Sequence, residues 1–113
     1  MKKLAILPMI ALGVATAATA AIPTLHEEKY AREQEAMIIT SPIAGIENRF
    51  WFDYRIDITE AQKELTSDLR RASDIEDLRD AWEEYGTELR HERIDYIEDM
   101  AERGYRDFTI TVQ

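Results

Sequence analysis

Two stretches of the chain alternate between apolar and polar residues. An extended chain over residues 49–58 would place on one face Phe52, Tyr54, Ile56 and Ile58. Residues 106–113 alternate in the same way and contain Phe108, Ile110 and Val112. Period-two alternation of aromatic and β-branched residues is typical of a strand with one buried face. The pattern therefore predicts two β-strands, 49–58 and 106–113.

Three other stretches have helical signals. Residues 25–37 begin at a Thr-x-x-Glu spacing. Residues 60–72 come directly after Thr59, which has the spacing of a capping box with Gln62. Residues 74–103 form the longest segment and are closed by Gly104. These signals predict an N-terminal helix, a second helix and a long third helix.

The third predicted helix has one apolar side. The apolar stripe follows helical periodicity and consists of Ile75, Leu78, Trp82, Tyr85, Leu89, Tyr96 and Met100. Arg93 lies within the stripe, so its charge must reach solvent or meet a carboxylate. Gly86 interrupts the helix and indicates a kink or a close contact with another backbone.

Together these elements predict a mostly helical α+β fold with the order strand–helix–helix–strand. Residues 21–48 are expected to be an N-terminal helical arm and linker, because Pro42 and Gly45 interrupt the stretch after the first helix. Residues 49–113 are expected to form the small α+β domain. Two strands leave open edges, so homodimerisation or a partner that supplies a strand is expected.

The first twenty residues have the features of a bacterial secretory signal. Lys2 and Lys3 precede an apolar run that ends in Ala18-Thr19-Ala20, the small-residue pattern that signal peptidase cleaves. The sequence thus predicts a signal peptide over 1–20 and a periplasmic or secreted protein. An uncleaved membrane anchor is the alternative, but the run is shorter than a typical span. After cleavage no stable membrane insertion is expected.

Charge and composition exclude several functions. The 113 residues include 14 Lys and Arg against 23 Asp and Glu, for a net charge of -9, and no cysteine. Absence of cysteine excludes a disulfide scaffold, a thiolate zinc site and a cysteine nucleophile. A chain this acidic repels phosphate, so nucleic acid is not an expected partner. No catalytic set of residues and no cofactor motif is present, which predicts a protein that is not an enzyme.

One polar face of the third helix could hold a metal ion. Its candidate ligands are Glu84, Glu88, His91 and Asp95, whose 4-3-4 spacing makes consecutive members neighbours. Carboxylates with one imidazole are ligands for divalent cations. The alternative is a solvated acidic face, which amphipathic helices normally have.

Consecutive aromatic residues indicate a binding surface. A strand cannot bury Phe50, Trp51 and Phe52 on one face, so Trp51 is expected either at an interface or beneath the N-terminal arm. Phe50, Trp51 and Arg93 are therefore the predicted partner-binding residues, because aromatic and arginine side chains dominate protein interfaces.

A short motif resembles a known family. Ile58-Thr59-Glu60-Ala61-Gln62 is similar to the LTxxQ motif of small periplasmic stress proteins, a helical chaperone family, with Ile in place of Leu. The resemblance implies a chaperone or sensor role. The chain departs from that family in its two predicted strands, its acidic surface and the lack of a second motif.

These observations predict a small exported acidic interaction protein that binds a polypeptide partner, as an adaptor or chaperone does. A basic partner is expected, since acidic charge would attract it. The alternatives are a periplasmic protein that binds divalent cations and, last, a small hydrolase with an acid pair.

Overall fold

The computed structural model describes residues 24–106, which form three α-helices. Their bounds are α1, His26–Ala36; α2, Arg49–Arg71; and α3, Ile75–Glu102. A short 3-10 turn, Ile43–Gly45, lies between α1 and α2. The predicted signal peptide and the predicted strand beyond Arg106 lie outside the described residues. Within residues 24–106, none of the three helices combines the length and the hydropathy that a membrane span requires.

The predicted α+β fold is wrong, because residues 24–106 are mostly helical and contain no strand. The stretch predicted as strand 49–58 is the first ten residues of α2. Asn48 caps this helix, its side-chain oxygen accepting a hydrogen bond from the backbone N–H of Trp51 at 3.2 Å. The residues that α2 buries recur every three or four positions: Trp51, Tyr54, Ile58, Ala61 and Leu65. Helical periodicity, continued beyond residue 58, therefore decides the structure of this stretch.

The predicted second helix is the second half of α2. Thr59 and Gln62 do not begin a helix, because the Thr59 hydroxyl donates to the backbone carbonyl of Arg55 at 3.0 Å, one turn earlier in α2. Threonine makes this bond inside helices. The helix ends at Arg71, close to the predicted residue 72.

The long third helix is confirmed. Asp74 caps its start by accepting from the backbone N–H of Asp77 at 2.8 Å, and the Asp77 carboxylate accepts from Ser73 in return. At the other end Gly104 has φ 84°. Its N–H donates to the Ala101 carbonyl, while the next N–H donates to Met100, an arrangement that satisfies the last carbonyls of a helix. Most of the apolar stripe is buried, although Ile75 is exposed.

The central element is α3, and the other two helices pack on it. α2 runs antiparallel to α3, since Trp51 contacts Tyr96 while Leu65 and Ala81 line one small cavity. α1 runs parallel to α3, because Glu27 bonds Arg79 and Gln34 bonds Arg93. The core lies where both pairs meet and is rich in aromatic side chains.

A close approach of two helices explains Gly86. A Cβ atom at this position would lie 2.7 Å from two ring carbons of Tyr30 and 3.1 Å from the Cα of Ala31. Ala31 itself is fully buried. Two small residues thus let α1 and α3 approach closely, and the predicted close contact at Gly86 is confirmed.

The stretch between α1 and α2 is held to the helices by tyrosine hydroxyls. The Tyr54 hydroxyl accepts from the backbone N–H of Ile39 at 3.0 Å, and the Tyr96 hydroxyl accepts from that of Ile43 at 2.9 Å. The Ile43 side chain is 2 % exposed. This predicted linker therefore contributes a side chain to the core.

Candidate functional site

An acidic groove lies between α2 and α3. Its carboxylates, which define the acidic groove here, are Asp53, Asp57, Glu92, Asp95 and Asp99. Asp53 and Asp57 are four residues apart on α2, and the other three follow at intervals of three and four on α3. Residues so spaced are neighbours on one side of a helix. Because α2 packs against α3, the carboxylate row of one helix lies next to the carboxylate row of the other.

Buried tyrosines form the floor of the acidic groove. Tyr54 and Tyr96 stack with ring centroids 4.9 Å apart and an interplanar angle of 13°, and both are buried. Their hydroxyls are already occupied by the backbone of the preceding loop. The floor is thus rigid, and the groups that can meet a ligand are the carboxylates on the rim, together with Arg49 and Phe50.

Two carboxyl groups meet across the acidic groove. Partial burial, a hydrogen bond to the Asp57 side chain and the negative charges of Asp57, Glu88 and Asp95 raise the pKa of Glu92 to about 8. A hydrogen bond between two carboxyl groups requires a proton on one of them. Near neutral pH this part of the groove therefore holds a proton, which an incoming cation could replace.

A second acidic cluster lies farther along the same two helices. Glu64, Asp68 and Glu84 place one ligand atom each within 4.8 Å of one another. Burial and a hydrogen bond to Glu64 raise the pKa of Glu84, while Asp68 also pairs with Arg71. Negative charge consequently extends along most of the α2–α3 junction.

The four predicted metal ligands are divided between these two places. Glu84 belongs to the second acidic cluster, whereas Asp95 is part of the acidic groove and His91 lies next to Asp95. The His91 Nε2 atom is 3.1 Å from an Asp95 carboxylate oxygen, and Glu92 completes a group of three donors within 4.8 Å. Glu88 lines a small cavity between the two helices. The metal-binding role of all four residues stays a prediction.

The three predicted partner-binding residues lie in different environments. Phe50 lines the end of the acidic groove, where the guanidinium of Arg103 lies 4.0 Å from its ring centroid and that of Arg49 lies 4.7 Å away. Trp51 is 5 % exposed and packs on the two stacked tyrosines. Among these three, Phe50 is the residue placed for contact with a ligand of the groove.

Arg93 meets an amide of α1, and its charge does not reach solvent, although reaching solvent is one of the two outcomes that the sequence predicts. Its side chain is 2 % exposed, and its Nη1 atom donates to the Oε1 atom of Gln34 at 2.7 Å. Burial lowers the pKa of Arg93, but a guanidinium remains charged at physiological pH. Arg93 thus joins α1 to α3 inside the core.

The predictions from sequence do not include the α2 side of the groove, because Asp53 and Asp57 lie within the stretch predicted as strand 49–58. The signal that would have found them is their i, i+4 spacing, which matches the spacing of Asp95 and Asp99.

Comparison with protein-family models, curated proteins and solved structures finds no match for this chain. The resemblance of residues 58–62 to the LTxxQ motif is therefore supported by no family model. In the structure these residues lie in the middle of α2, where Ile58 and Ala61 are buried.

Proposed function

We propose that this chain is a small exported interaction protein that binds a basic polypeptide segment in the acidic groove. The observation that supports the proposal is the lining of the groove, in which Asp57 of α2 and Glu92 of α3 come together among five carboxyl groups. A cation that enters replaces the proton between these two groups, so a lysine or arginine side chain then lies between two negative charges. We assign binding and not catalysis to this site.

The distribution of charge supports a polypeptide ligand in particular. Five carboxylates line an open groove, and the whole chain has a net charge of -9. Such a surface attracts cationic partners and accelerates their association, an effect that salt weakens. Phe50 adds an apolar contact at one end, so the groove suits a segment in which an apolar residue accompanies several basic ones.

Titration with a synthetic peptide tests the proposal. The probe is a twelve-residue peptide of lysine and leucine, and fluorescence anisotropy measures its affinity at low and at physiological salt. Asp57→Asn with Glu92→Gln should weaken binding about tenfold, because the variant removes the Asp57 charge and the Glu92 carboxyl group that becomes charged when a cation replaces its proton. Rising salt should weaken binding of the wild type.

A matched variant controls for overall charge. Glu83→Gln with Glu98→Gln neutralises two carboxylates at exposed positions of α3 outside the groove, and it should bind the peptide almost as well as the wild type. Equal losses in the two variants would show unspecific attraction, and an undetectable affinity of the wild type would refute the proposed function.

Divalent-cation binding is a second candidate function. The group of His91, Glu92 and Asp95 favours it, since an imidazole and two carboxylates have ligand atoms within 4.8 Å of one another. Calorimetric titration with calcium, zinc and manganese tests this candidate. Micromolar binding by the wild type that is lost in His91→Ala would favour it over peptide binding, and absence of heat with all three ions would reject it.

A further inference from the structure

The outer side of α2 combines basic and apolar side chains. They form a stripe within about 120° of the helix circumference, named here the basic–apolar stripe, that consists of Phe52, Arg55, Ile56, Lys63 and Arg70. All five are exposed. The five acidic residues of α2 lie on the neighbouring side, toward the acidic groove. Three of the five basic residues of α2 thus lie apart from its acidic side, whereas Arg49 lines the acidic groove and Arg71 pairs with Asp68.

The stripe is not covered or neutralised within the described part of the chain. Phe52 is 45 % and Ile56 is 55 % exposed. None of the salt bridges among residues 24–106 involves Arg55, Lys63 or Arg70. Beside the stripe lies a shallow groove lined by Ile38, Ile39 and Arg55 among others. This surface is therefore open to a partner that offers carboxylates and some apolar area.

The acidic groove and the second acidic cluster of another copy together have matching chemistry and length. The stripe extends from Phe52 to Arg70, about 27 Å at 1.5 Å per residue. On α2 the groove contributes Asp53 and Asp57 and the second acidic cluster contributes Glu64 and Asp68, so the acidic row from Asp53 to Asp68 extends for about 22 Å. Because the two rows follow one helix axis, cations spaced along the stripe can face carboxylates spaced along the groove and the second acidic cluster.

We propose that the basic–apolar stripe of one copy docks in the acidic groove of a second copy. This inference rests on the proposed function, because the stripe is a basic, partly apolar polypeptide surface of the kind that the groove is proposed to bind. The two surfaces differ, so the contact is heterologous and leaves each pair of copies with one free stripe and one free groove. Association then continues to longer oligomers or closes into a ring.

Sedimentation velocity tests the self-association. The average mass of the wild type should rise with concentration and fall when salt is added, because salt screens the charged part of the contact. Lys63→Gln with Arg70→Gln changes only the stripe, and Asp57→Asn with Glu92→Gln changes only the groove. Each variant should need about tenfold higher concentration to associate. A control variant, Lys29→Gln with Arg106→Gln, removes two exposed positive charges elsewhere and should associate as the wild type does.

Mixing the stripe variant with the groove variant gives the sharpest result. The groove variant still has an intact stripe and the stripe variant still has an intact groove, so the mixture should form heterodimers that cannot grow further. Circular dichroism of each variant first establishes that it is helical. All substituted positions are exposed or half-buried, so the variants should fold. Where a double variant is not helical, the corresponding single variants replace it.

Other outcomes separate this inference from the proposed function. A wild type that stays monomeric up to millimolar concentration overturns the inference, and the proposed function stands if the lysine–leucine peptide still binds the groove. Self-association that the stripe variant does not weaken also overturns it. If the wild type self-associates through the stripe but does not bind the lysine–leucine peptide, the inference is supported. The proposal that the groove binds basic peptides in general is then refuted. The wild type and not the stripe variant could instead bind anionic lipid vesicles without self-association. That result overturns the inference and identifies a membrane surface as the partner of the stripe.

Discussion

At the scale of single residues, the fold depends on the absence of a side chain at Gly86. The structure leaves no room for a methyl group there, since a Cβ atom would approach the Ala31 backbone to 3.1 Å and the Tyr30 ring to 2.7 Å. A ring edge can rotate away, but the backbone of α1 moves only if the helix moves. The packing of α1 on α3 therefore depends on the absence of this side chain.

Gly86→Ala should destabilise the protein by about 1–2 kcal/mol. Overpacking typically costs about 1–3 kcal/mol, and the better helix propensity of alanine returns up to about 1 kcal/mol. Urea unfolding followed by circular dichroism measures the difference. Thr87→Ala, at the exposed neighbouring position, is the control and should change stability by less than about 0.5 kcal/mol. A more stable Gly86→Ala variant would show that α1 does not pack as closely as described.

At the scale of elements, residues 50–58 show why a stretch that was predicted to be a strand forms a helix. Phe52, Tyr54, Ile56 and Ile58 alternate as a strand does, yet Trp51, Tyr54 and Ile58 also have helical spacing. Within ten residues the two periods overlap. What decides is the continuation to Ala61 and Leu65, together with an apolar side of α3 long enough to cover the whole helix. Phe52 and Ile56 are then left exposed.

Other parts of the fold and site were predictable because their signals are local. The bounds of α3, its stop at Gly104 and most of its buried side follow from capping and periodicity. The acidic groove was not predictable, because it requires the antiparallel packing of α2 on α3, and the predicted strand contained two of its five carboxylates, Asp53 and Asp57. The position of Arg93 beside Gln34 likewise depends on the direction of α1.

The α2–α3 junction should lose stability as pH rises from 5 to 8. The pKa of Glu92 is raised from its ordinary value of 4.5 to about 8 in the folded chain. A carboxyl group whose pKa is raised by folding binds its proton more tightly in the folded state, so its contribution is complete below pH 4.5 and disappears as pH passes 8. Because the groove is partly exposed, we expect a change of about 1–2 kcal/mol.

Glu92→Gln tests the origin of this dependence. The variant should be more stable than the wild type at pH 8 and show a flatter profile in urea unfolding between pH 5 and 8. Glu98→Gln, on an exposed position of the same helix, should keep the profile of the wild type. Measurements stay above pH 5, because Glu27 and Asp77 have lowered pKa values and contribute stability that acid removes. A wild type whose stability rises toward pH 8 would contradict the expected proton between the two carboxyls.

At the scale of the whole molecule, export is the prediction with the simplest measurement. If residues 1–20 are a cleaved signal, mass spectrometry of the protein from its native host should find Ala21 at the N-terminus. Removal of Lys2 and Lys3 leaves 12 basic against 23 acidic residues, so the mature chain is also more acidic. Intact Met1 in the membrane fraction would instead indicate a retained anchor, and the periplasmic or secreted location would be wrong.

The parallel packing of α1 on α3 has a consequence for the order of folding. Contacts between α2 and α3 close a three-residue connection, 72–74. Contacts between α1 and α3 instead join residues 50 or more positions apart, such as Glu35 with Tyr85 and Gln34 with Arg93. Because longer loops cost more entropy to close, the hairpin should form first and α1 should dock last. In native-state hydrogen exchange, amides of α1 should consequently open at a lower free energy than those of α3. A chain beginning at residue 38 should then retain a helical hairpin, to which a separate peptide of residues 24–37 can bind.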